Sequence, residues 1–316
     1  MSAGPLHHAA LLYRGAADYL AAATAFVRAA LAAGNPVLVA VPGPRLHVLR
    51  DALADVAGWI TFADMAVAGR NPGRLLPALL LGFAARHEGR RVSVLGEPMW
   101  AGRTELEHTA CATHEALVNT VLAGRDAALL CPYDMSTLEP GVITGARHTH
   151  PVTIEGGVAR RSSSYADPLA TAAALDMPLP AVPPYARKRV FGDRAELSGV
   201  RSFVAAAAAG LLGGDRLDDL VLAANELVTN VMRYTRGDGR IALWTEPGLL
   251  VCQVDDDGPP PGPLAGRVPP GLHAARGRGL ILVNELCDLV RLHRHPGGTS
   301  VRLHLATGGP LRAGQR

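Results

Sequence analysis

Between residues 162 and 188 the chain reads SSSYADPLATAAALDMPLPAVPPYARK. Proline fixes φ and removes a backbone donor, so neither a long helix nor an internal strand runs through such a stretch. With its serine cluster it reads as an exposed linker over 161–184. It divides the 316 residues into two cores, 1–160 and 185–309, with a short tail at 310–316. Two domains also suit this length. Hydrophobic residues make up 48% and charged residues 19%, enough apolar material for both cores. Aromatic residues are only 4%, so those cores are built from Ala, Leu and Val.

The first half alternates short apolar runs with helical patterns. PVLVAVP (36–42), RVSVLGEP (91–98) and AALLCPYD (127–134) read as buried parallel strands. Helices are expected at about 16–33, 44–54, 73–88 and 103–123. That rhythm predicts a doubly wound α/β domain with a mostly parallel sheet. After the seam the order changes. Helices are expected at 193–212 and 215–235, then strands RIALWTE and LLVCQVDDD, and a Pro/Gly-rich loop at 258–278. A helix at 279–287 and the strands DLVRLHRH and TSVRLHLA complete the set. Helices segregated from an antiparallel sheet make an α+β sandwich.

Several function classes are excluded as expectations. A formal charge of +3 without a clustered basic surface gives no footprint for direct nucleic-acid binding. Apolar runs such as LLPALLLGFAA fall short of the roughly 20 residues of a membrane span. MSAGPLHHAALLYRG lacks a secretory pattern. Cys111, Cys131, Cys252 and Cys287 show no C-x-x-C spacing, as expected of reduced thiols in a cytoplasmic protein.

The chemistry-bearing residues of the second half fall in four places. On helix 215–235 the stripe Leu217, Leu220, Val221, Ala224, Leu227, Val228 and Val231 is apolar, and Glu226 and Asn230 stand beside it one turn apart. A carboxylate and an amide oxygen so placed can hold hydrated Mg²⁺, which takes oxygen ligands and is completed by phosphates; Arg233, one turn on, is in reach of a phosphate. A strand then ends in VDDDGPPPG, where an Asp can accept a hydrogen bond from a base's exocyclic amine and Gly258 admits close backbone approach. ARGRGLILVNELCD sets Gly277 and Gly279 at a helix start, where free N–H groups favour phosphate. HPGGTSVRLHL places Thr299 before the last strand. Each signal alone has a bland reading as a solvated face, a turn or a hairpin. Their order and compact spacing make them specific together.

Residues 185–307 resemble the histidine-kinase-like ATPase domain of the gyrase, heat-shock-90, histidine-kinase and MutL group, nearest to its anti-sigma-factor serine kinase branch. ELVTNVMRYT corresponds to the N box, and DDDGPPPG, GRGLILVNELCD and GGTSVRLHL to three glycine boxes. The resemblance implies ATP and Mg²⁺ as cofactors. It implies Asn230 as the Mg²⁺ ligand and Glu226 as general base or acceptor-orienting group. Asp256 is implied as the adenine anchor ahead of Asp255, with Gly258 lining the base pocket. Gly277, Arg278 and Gly279 are implied as the phosphate turn, 259–276 as a lid, and Thr299 as a contact to adenine or its water. The second glycine of the first box is replaced by Pro260, with Gly262 beyond it.

No His lies between His150 and His273, so the phosphoacceptor hairpin of a sensor histidine kinase is missing before the ATPase boxes. A Ser hydroxyl on a separate protein is the better acceptor, since phosphoryl transfer is mostly positioning and electrostatics. Ser162–Ser164 read as flexible linker rather than as self-targets.

The first half lacks G-x-x-x-x-G-K-[ST], and PGPRLHVL after its strand at 36–42 cannot wrap phosphate. It resembles the MEDS sensory domain of methanogen and methylotroph regulators over about 5–155, through HHAALLY, GEPMW, Glu115 with Asn119, and CPYD. The resemblance implies a sensed ligand of unknown identity. Ligands sit at strand ends in such sheets, which makes His8, Glu97, Trp100, Glu115, Tyr133 and Asp134 the candidates. In HTACATHE, His108, Cys111 and Glu115 share a helical face with His114 at its edge. These are ligand types that zinc or haem accepts, but they read first as helix residues around a buried thiol. The histidines of RHTHP and of 293–304 show no metal spacing.

The expected protein is therefore an ATP-binding signalling regulator: an anti-sigma-factor-like serine kinase under N-terminal sensory control. Its expected partner is a sigma factor or an antagonist (anti-anti-sigma) protein, and a homodimer is compatible with the sequence. The alternatives are a non-catalytic ATP-dependent interaction switch and an atypical histidine kinase.

Overall fold

The computed structural model describes residues 5–235, 238–270 and 277–308. The chain divides into two compact units at Leu175/Asp176. Among the described residues no helix is long and apolar enough to cross a membrane.

The N-terminal unit runs β1 (His7–Tyr13), α1 (Gly15–Ala32), β2 (Val37–Val41), α2 (Gly43–Ala52), β3 (Ile60–Asp64) and α3 (Met65–Ala68). It continues through α4 (Gly82–Arg86), β4 (Val92–Gly96), α5 (Glu105–Val121), β5 (Ala127–Asp134) and α6 (Pro140–Thr149). β6 (Val152–Glu155), β7 (Val158–Arg161) and α7 (Pro168–Ala174) finish it. The sheet order is β3-β2-β4-β5-β1-β6-β7, parallel except for β7. It is doubly wound: Leu11, Tyr13, Val37, Val39 and Leu95 pack under α1 and α2, while Ala10, Leu12, Cys131 and Tyr133 pack with Cys111, Ile143 and Ala146 of α5 and α6. α5 starts where it does because Thr104 and Glu107 form a reciprocal capping box, which satisfies two orphan N–H groups.

The helix expected at 73–88 is not one α-helix. A 3₁₀ turn (Pro72–Arg74) leads into a π-helix (Leu75–Leu81) and then α4. Pro77 lacks the N–H that an α-helical bond needs and crowds the preceding turn; a wider turn accommodates it. β1, β3, β6 and β7 were not among the strands read from the sequence. HHAALLY, with two histidines and no β-branched residue, carries no strand signature, yet it is central to the sheet.

The C-terminal unit contains β8 (Arg187–Phe191), α8 (Leu197–Ala208), α9 (Gly214–Tyr234), β9 (Gly239–Glu246) and β10 (Leu249–Asp256). α10 (Gly279–Leu286), β11 (Leu289–His295) and β12 (Gly298–Ala306) follow. Its sheet is antiparallel in the order β11-β12-β10-β9-β8. The inner face (Ile241, Leu243, Leu250, Cys252, Val254, Leu303, Leu305) meets the stripe Leu220, Ala224, Leu227, Val228 and Val231 of α9. Each fully buried Leu or Val there contributes about 1.5–3 kcal/mol.

The 161–184 segment does not run free. α7 packs on α5, and from Asp176 onward the chain lies along the sheet's outer face. Val182 and Ala186 pack on Ala242, Trp244 and Val251. The Pro180 carbonyl accepts from Arg302, whose guanidinium lies over Trp244. Asp176 accepts from His293 at 2.8 Å and from Arg294 at 3.0 Å. Proline excludes internal strands and long helices, but it does not prevent an extended strap from covering apolar side chains.

Candidate functional site

In the C-terminal unit a cavity of about 410 Å³ opens between α9, the end of β10, the 259–270 loop and the start of α10. Three local features shape it. First, α9 carries Asn230 at the edge of its buried stripe, so the amide faces the cavity while Leu227 and Val231 form the apolar wall. Secondly, strand alternation separates the two aspartates. Asp255 turns to the outer face and accepts from Gln253 and Ser300, while Asp256 lines the cavity. Thirdly, the β11–β12 turn folds onto the end of β10, which pairs Asp256 with Thr299. Gly298 adopts φ +132, and any Cβ there would run into the Asp256 carbonyl oxygen, so only glycine fits.

Asp256 Oδ1 accepts from the Gly258 N–H at 2.8 Å. Burial pushes its carboxyl pKa above the ordinary value; the Gly258 N–H works against that rise, and Asp257 and Asp255 add to it. Thr299 is 3% exposed, lines the cavity, and its hydroxyl has no hydrogen-bond partner among the described residues. A buried hydroxyl without a partner is costly, and a polar ligand in the cavity would satisfy it. Gly277 takes φ +96 and lines the cavity with Gly279. A Cβ on Gly279 would lie 2.9 Å from Glu226 Oε2 and 3.3 Å from Asn230 Nδ2. The first turn of α10 thus sits directly on the Glu226–Asn230 pair, and a helix start leaves its first N–H groups without intrahelical partners.

The remaining residues singled out in the sequence are placed differently. Glu226 does not line the cavity; it is set against Gly279. Arg233 and Arg278 are exposed and lie outside the lining. Gly258 is buried behind Asp256, packed on Thr235, rather than on the cavity wall. Of the expected lid, residues 271–276 lie outside the described residues. Pro259, Pro260, Pro261, Ala265, Gly266, Val268 and Pro270 line the cavity. Arg294 holds this loop through the carbonyls of Pro261 and Gly262, and Asn284 through that of Gly266. Tyr234, Thr235 and Leu292 also line the cavity. Tyr234 and Thr235 close the ELVTNVMRYT stretch without having been singled out in it, and Leu292 reads in the sequence as ordinary strand core.

In the N-terminal unit the six candidates divide into three places. Glu97 and Asp134, at the ends of β4 and β5, both pair with Arg45, whose guanidinium also lies over Tyr13 and Tyr19. Trp100 lies under Arg103, 3.8 Å from its guanidinium. His8, Glu115 and Tyr133 lie deeper, beneath α5 and α6. There Glu115 Oε2 is 3.1 Å from His8 Nε2 and 3.2 Å from His150 Nε2. Cys131 Sγ is 3.4 Å from His8 Nε2 and 3.7 Å from Glu115 Oε2. The Tyr133 ring stands edge-on to His150. His8, Glu115, Cys131 and His150 are all buried. Burial alone would raise the Glu115 pKa, but His150 and His8 outweigh it and hold the carboxyl well below its usual range. Burial, and then the Glu115 charge, raises the Cys131 thiol. Burial, and then His8, depresses His150.

The grouping read in HTACATHE is not what converges. His108 bonds the Trp100 carbonyl and Cys111 the Pro98 carbonyl, while Glu115 joins His8, Cys131 and His150. His150 belongs to the RHTHP stretch, whose spacing gave no metal signal. Its ring reaches the cluster because α6 ends there.

A helix pair and a loop set on an antiparallel sheet, with an amide, a carboxylate and glycine turns around one cavity, make the C-terminal unit an α+β domain with a candidate small-molecule site. Residues 192–305 match the model described as the histidine kinase-like ATPase domain. Residues 7–151 match the MEDS model, the methanogen/methylotroph, DcmR sensory domain. The chain therefore carries a MEDS domain followed by a histidine kinase-like ATPase domain. Among solved structures, the RsbU and RsbW domains of Rv1364c from Mycobacterium tuberculosis align at 18% identity over 38% of this chain, with a TM-score of 0.29. The alignment spans 32% of that chain, about a third of its length. The comparison with curated proteins gave no match.

Proposed function

We propose that the C-terminal unit binds ATP with Mg²⁺, and that the protein is a signalling regulator of the anti-sigma-factor serine kinase kind with the MEDS unit as its sensory input. The observation that carries this reading is the convergence of Asn230, Asp256, Gly277, Gly279 and Thr299 on one cavity of about 410 Å³. Small-molecule sites run to about 300–1,000 Å³ and combine apolar walls with a few polar groups. In this reading the Asn230 amide oxygen is a ligand to Mg²⁺, which neutralises phosphate charge when bound. Asp256 accepts from the adenine exocyclic amine, and the Thr299 hydroxyl bonds the base edge. The α10 N-terminus, opened by Gly277 and Gly279, receives phosphate oxygens. Glu226 takes the proton of a serine hydroxyl on an antagonist partner as that oxygen bonds the γ-phosphorus. The bond to the β–γ bridging oxygen breaks and ADP leaves.

A second reading has a specific observation behind it. The Glu226 carboxylate lies against Gly279 and not on the cavity wall, and Pro259–Pro261 stand where the first box would carry glycine. A domain that binds nucleotide and changes partner affinity without transfer fits those two facts. Incubation with labelled ATP, Mg²⁺ and candidate antagonists separates the readings. Acid-stable label on a partner serine, lost in Glu226→Gln while ATP affinity is kept, supports the kinase. Tight ATP binding with no label supports the switch. Acid-labile label on the protein itself supports an atypical histidine kinase. A protein indifferent to ATP overturns all three.

A further inference from the structure

We propose that the MEDS unit holds a divalent transition metal, zinc by its chemistry, on His8, Glu115, Cys131 and His150. The four side chains come from β1, α5, β5 and the residue just after α6, and their ligand atoms all lie within 4.8 Å of one another. Ligands 2.0–2.3 Å from a tetrahedral zinc are separated by about 3.3–3.7 Å along the edges. The separations around Glu115 and Cys131 are 3.1, 3.2, 3.4 and 3.7 Å.

The surroundings set the imidazoles for this role. His150 Nδ1 faces the Ala146 carbonyl oxygen at 2.9 Å, and His8 Nδ1 faces Asn119 Oδ1 at 3.0 Å. The Asn119 amide is itself fixed, because its Nδ2 donates to the Thr149 carbonyl at 2.8 Å. Each Nδ1 therefore carries the proton and donates it outward. Each neutral imidazole then turns the Nε2 lone pair to the cluster centre, the second-shell arrangement of metal-bound histidine. Two lone pairs and a carboxylate oxygen at 3.1–3.2 Å repel one another unless a positive charge sits between them. The second carboxylate oxygen, Glu115 Oε1, has no hydrogen-bond partner among the described residues.

A dication answers the charge problem. Glu115 and a Cys131 thiolate together bring two negative charges, and a 2+ ion makes the buried cluster neutral. Coordination removes the thiol proton that burial alone would keep in place. The N₂OS donor set suits zinc better than the hard-oxygen cations. Four protein ligands leave no open position, so the site is structural and ties β1 and β5 to α5 and α6.

The test uses the full chain, produced without a histidine tag, stripped with chelator and titrated with Zn²⁺ or Co²⁺. The expected results are one zinc per chain retained through gel filtration and a higher melting temperature than the stripped form. The cobalt form is expected to show tetrahedral visible bands with a near-ultraviolet thiolate charge-transfer band. That band is lost in Cys131→Ser and kept in Cys111→Ala. Should Cys131→Ser fail to fold, the wild-type cobalt spectrum decides alone. No stoichiometric metal uptake, an octahedral cobalt spectrum, or a thiolate band unaffected by Cys131→Ser overturns the assignment. A stability that responds to pH but not to chelator also overturns it, and leaves a proton-bridged His–Glu–His cluster.

Discussion

Replacing Asp256 by Asn tests the nucleotide reading at its most specific contact. The carboxylate closes β10, is half-buried, and receives one hydrogen bond among the described residues, from the Gly258 N–H. Asn keeps the shape and can still accept that bond through its carbonyl oxygen, so the turn should survive. What changes is the edge offered to the base: an anionic acceptor becomes an NH₂ donor facing an NH₂ donor. A hydrogen bond to a charged group is worth about 1.5–3 kcal/mol. At about 1.4 kcal/mol per tenfold in affinity, Asp256→Asn should weaken Mg-ATP binding by roughly one to two orders of magnitude. An inosine nucleotide, which offers a carbonyl where adenine offers an amine, should gain relative to ATP. Calorimetric titration of both nucleotides into both proteins reads this directly. The raised Asp256 pKa adds a pH signature: as pH falls the carboxylate protonates earlier than an ordinary aspartate, so ATP affinity should fall more steeply with acid in wild type than in the variant. A loss of ATP affinity below threefold with an unchanged ATP-to-inosine ratio would refute the assignment of this residue to the base.

Other outcomes follow from the same geometry. Asn230→Ala should abolish the Mg²⁺-dependent part of ATP affinity in calorimetry with and without EDTA; unchanged affinity contradicts the metal role. Gly298→Ala, which places a Cβ against the Asp256 carbonyl at φ +132, should cost more than about 2 kcal/mol in chemical denaturation. His304 is 4% exposed; burial is the main cause that pushes its pKa down to about 4, with Arg302 adding to this and Glu246 opposing it. Below pH ~6.5 the unfolded chain binds a proton that the folded chain refuses, so stability held above that pH is lost toward pH 4. The amount is about 3 kcal/mol, and His304→Gln should flatten that part of the pH–stability curve.

Some residues were legible because their element's period places them without help from the rest of the chain. Asn230 falls beside an apolar stripe of period 3.6, and Asp256 and Asp255 must face opposite sides of a strand. Register then settled which aspartate lines the cavity. Arg233 was placed by the same helical spacing, but it is exposed beyond the cavity's edge. The His8–Glu115–Cys131–His150 cluster was beyond sequence reading in a different way. His8 stands 107 positions from Glu115 and 123 from Cys131, with His150 farther still, and the parallel pairing of β1 with β5 brings Ala10 opposite Cys131 and His8 near it. The prolines of the seam announce an interruption but say nothing of Val182, which finds Trp244 only once the sheet exists.

The strap from Asp176 to Ala186 decides where the ATPase unit can be cut. The family match begins at residue 192, after both this strap and β8. A fragment begun there would leave β9 as a bare sheet margin and uncover Ala242, Trp244 and Val251, a combination that invites strand addition between copies. The compact unit itself starts at Asp176, so the proline-rich stretch that looks dispensable is part of the cover over its outer sheet face.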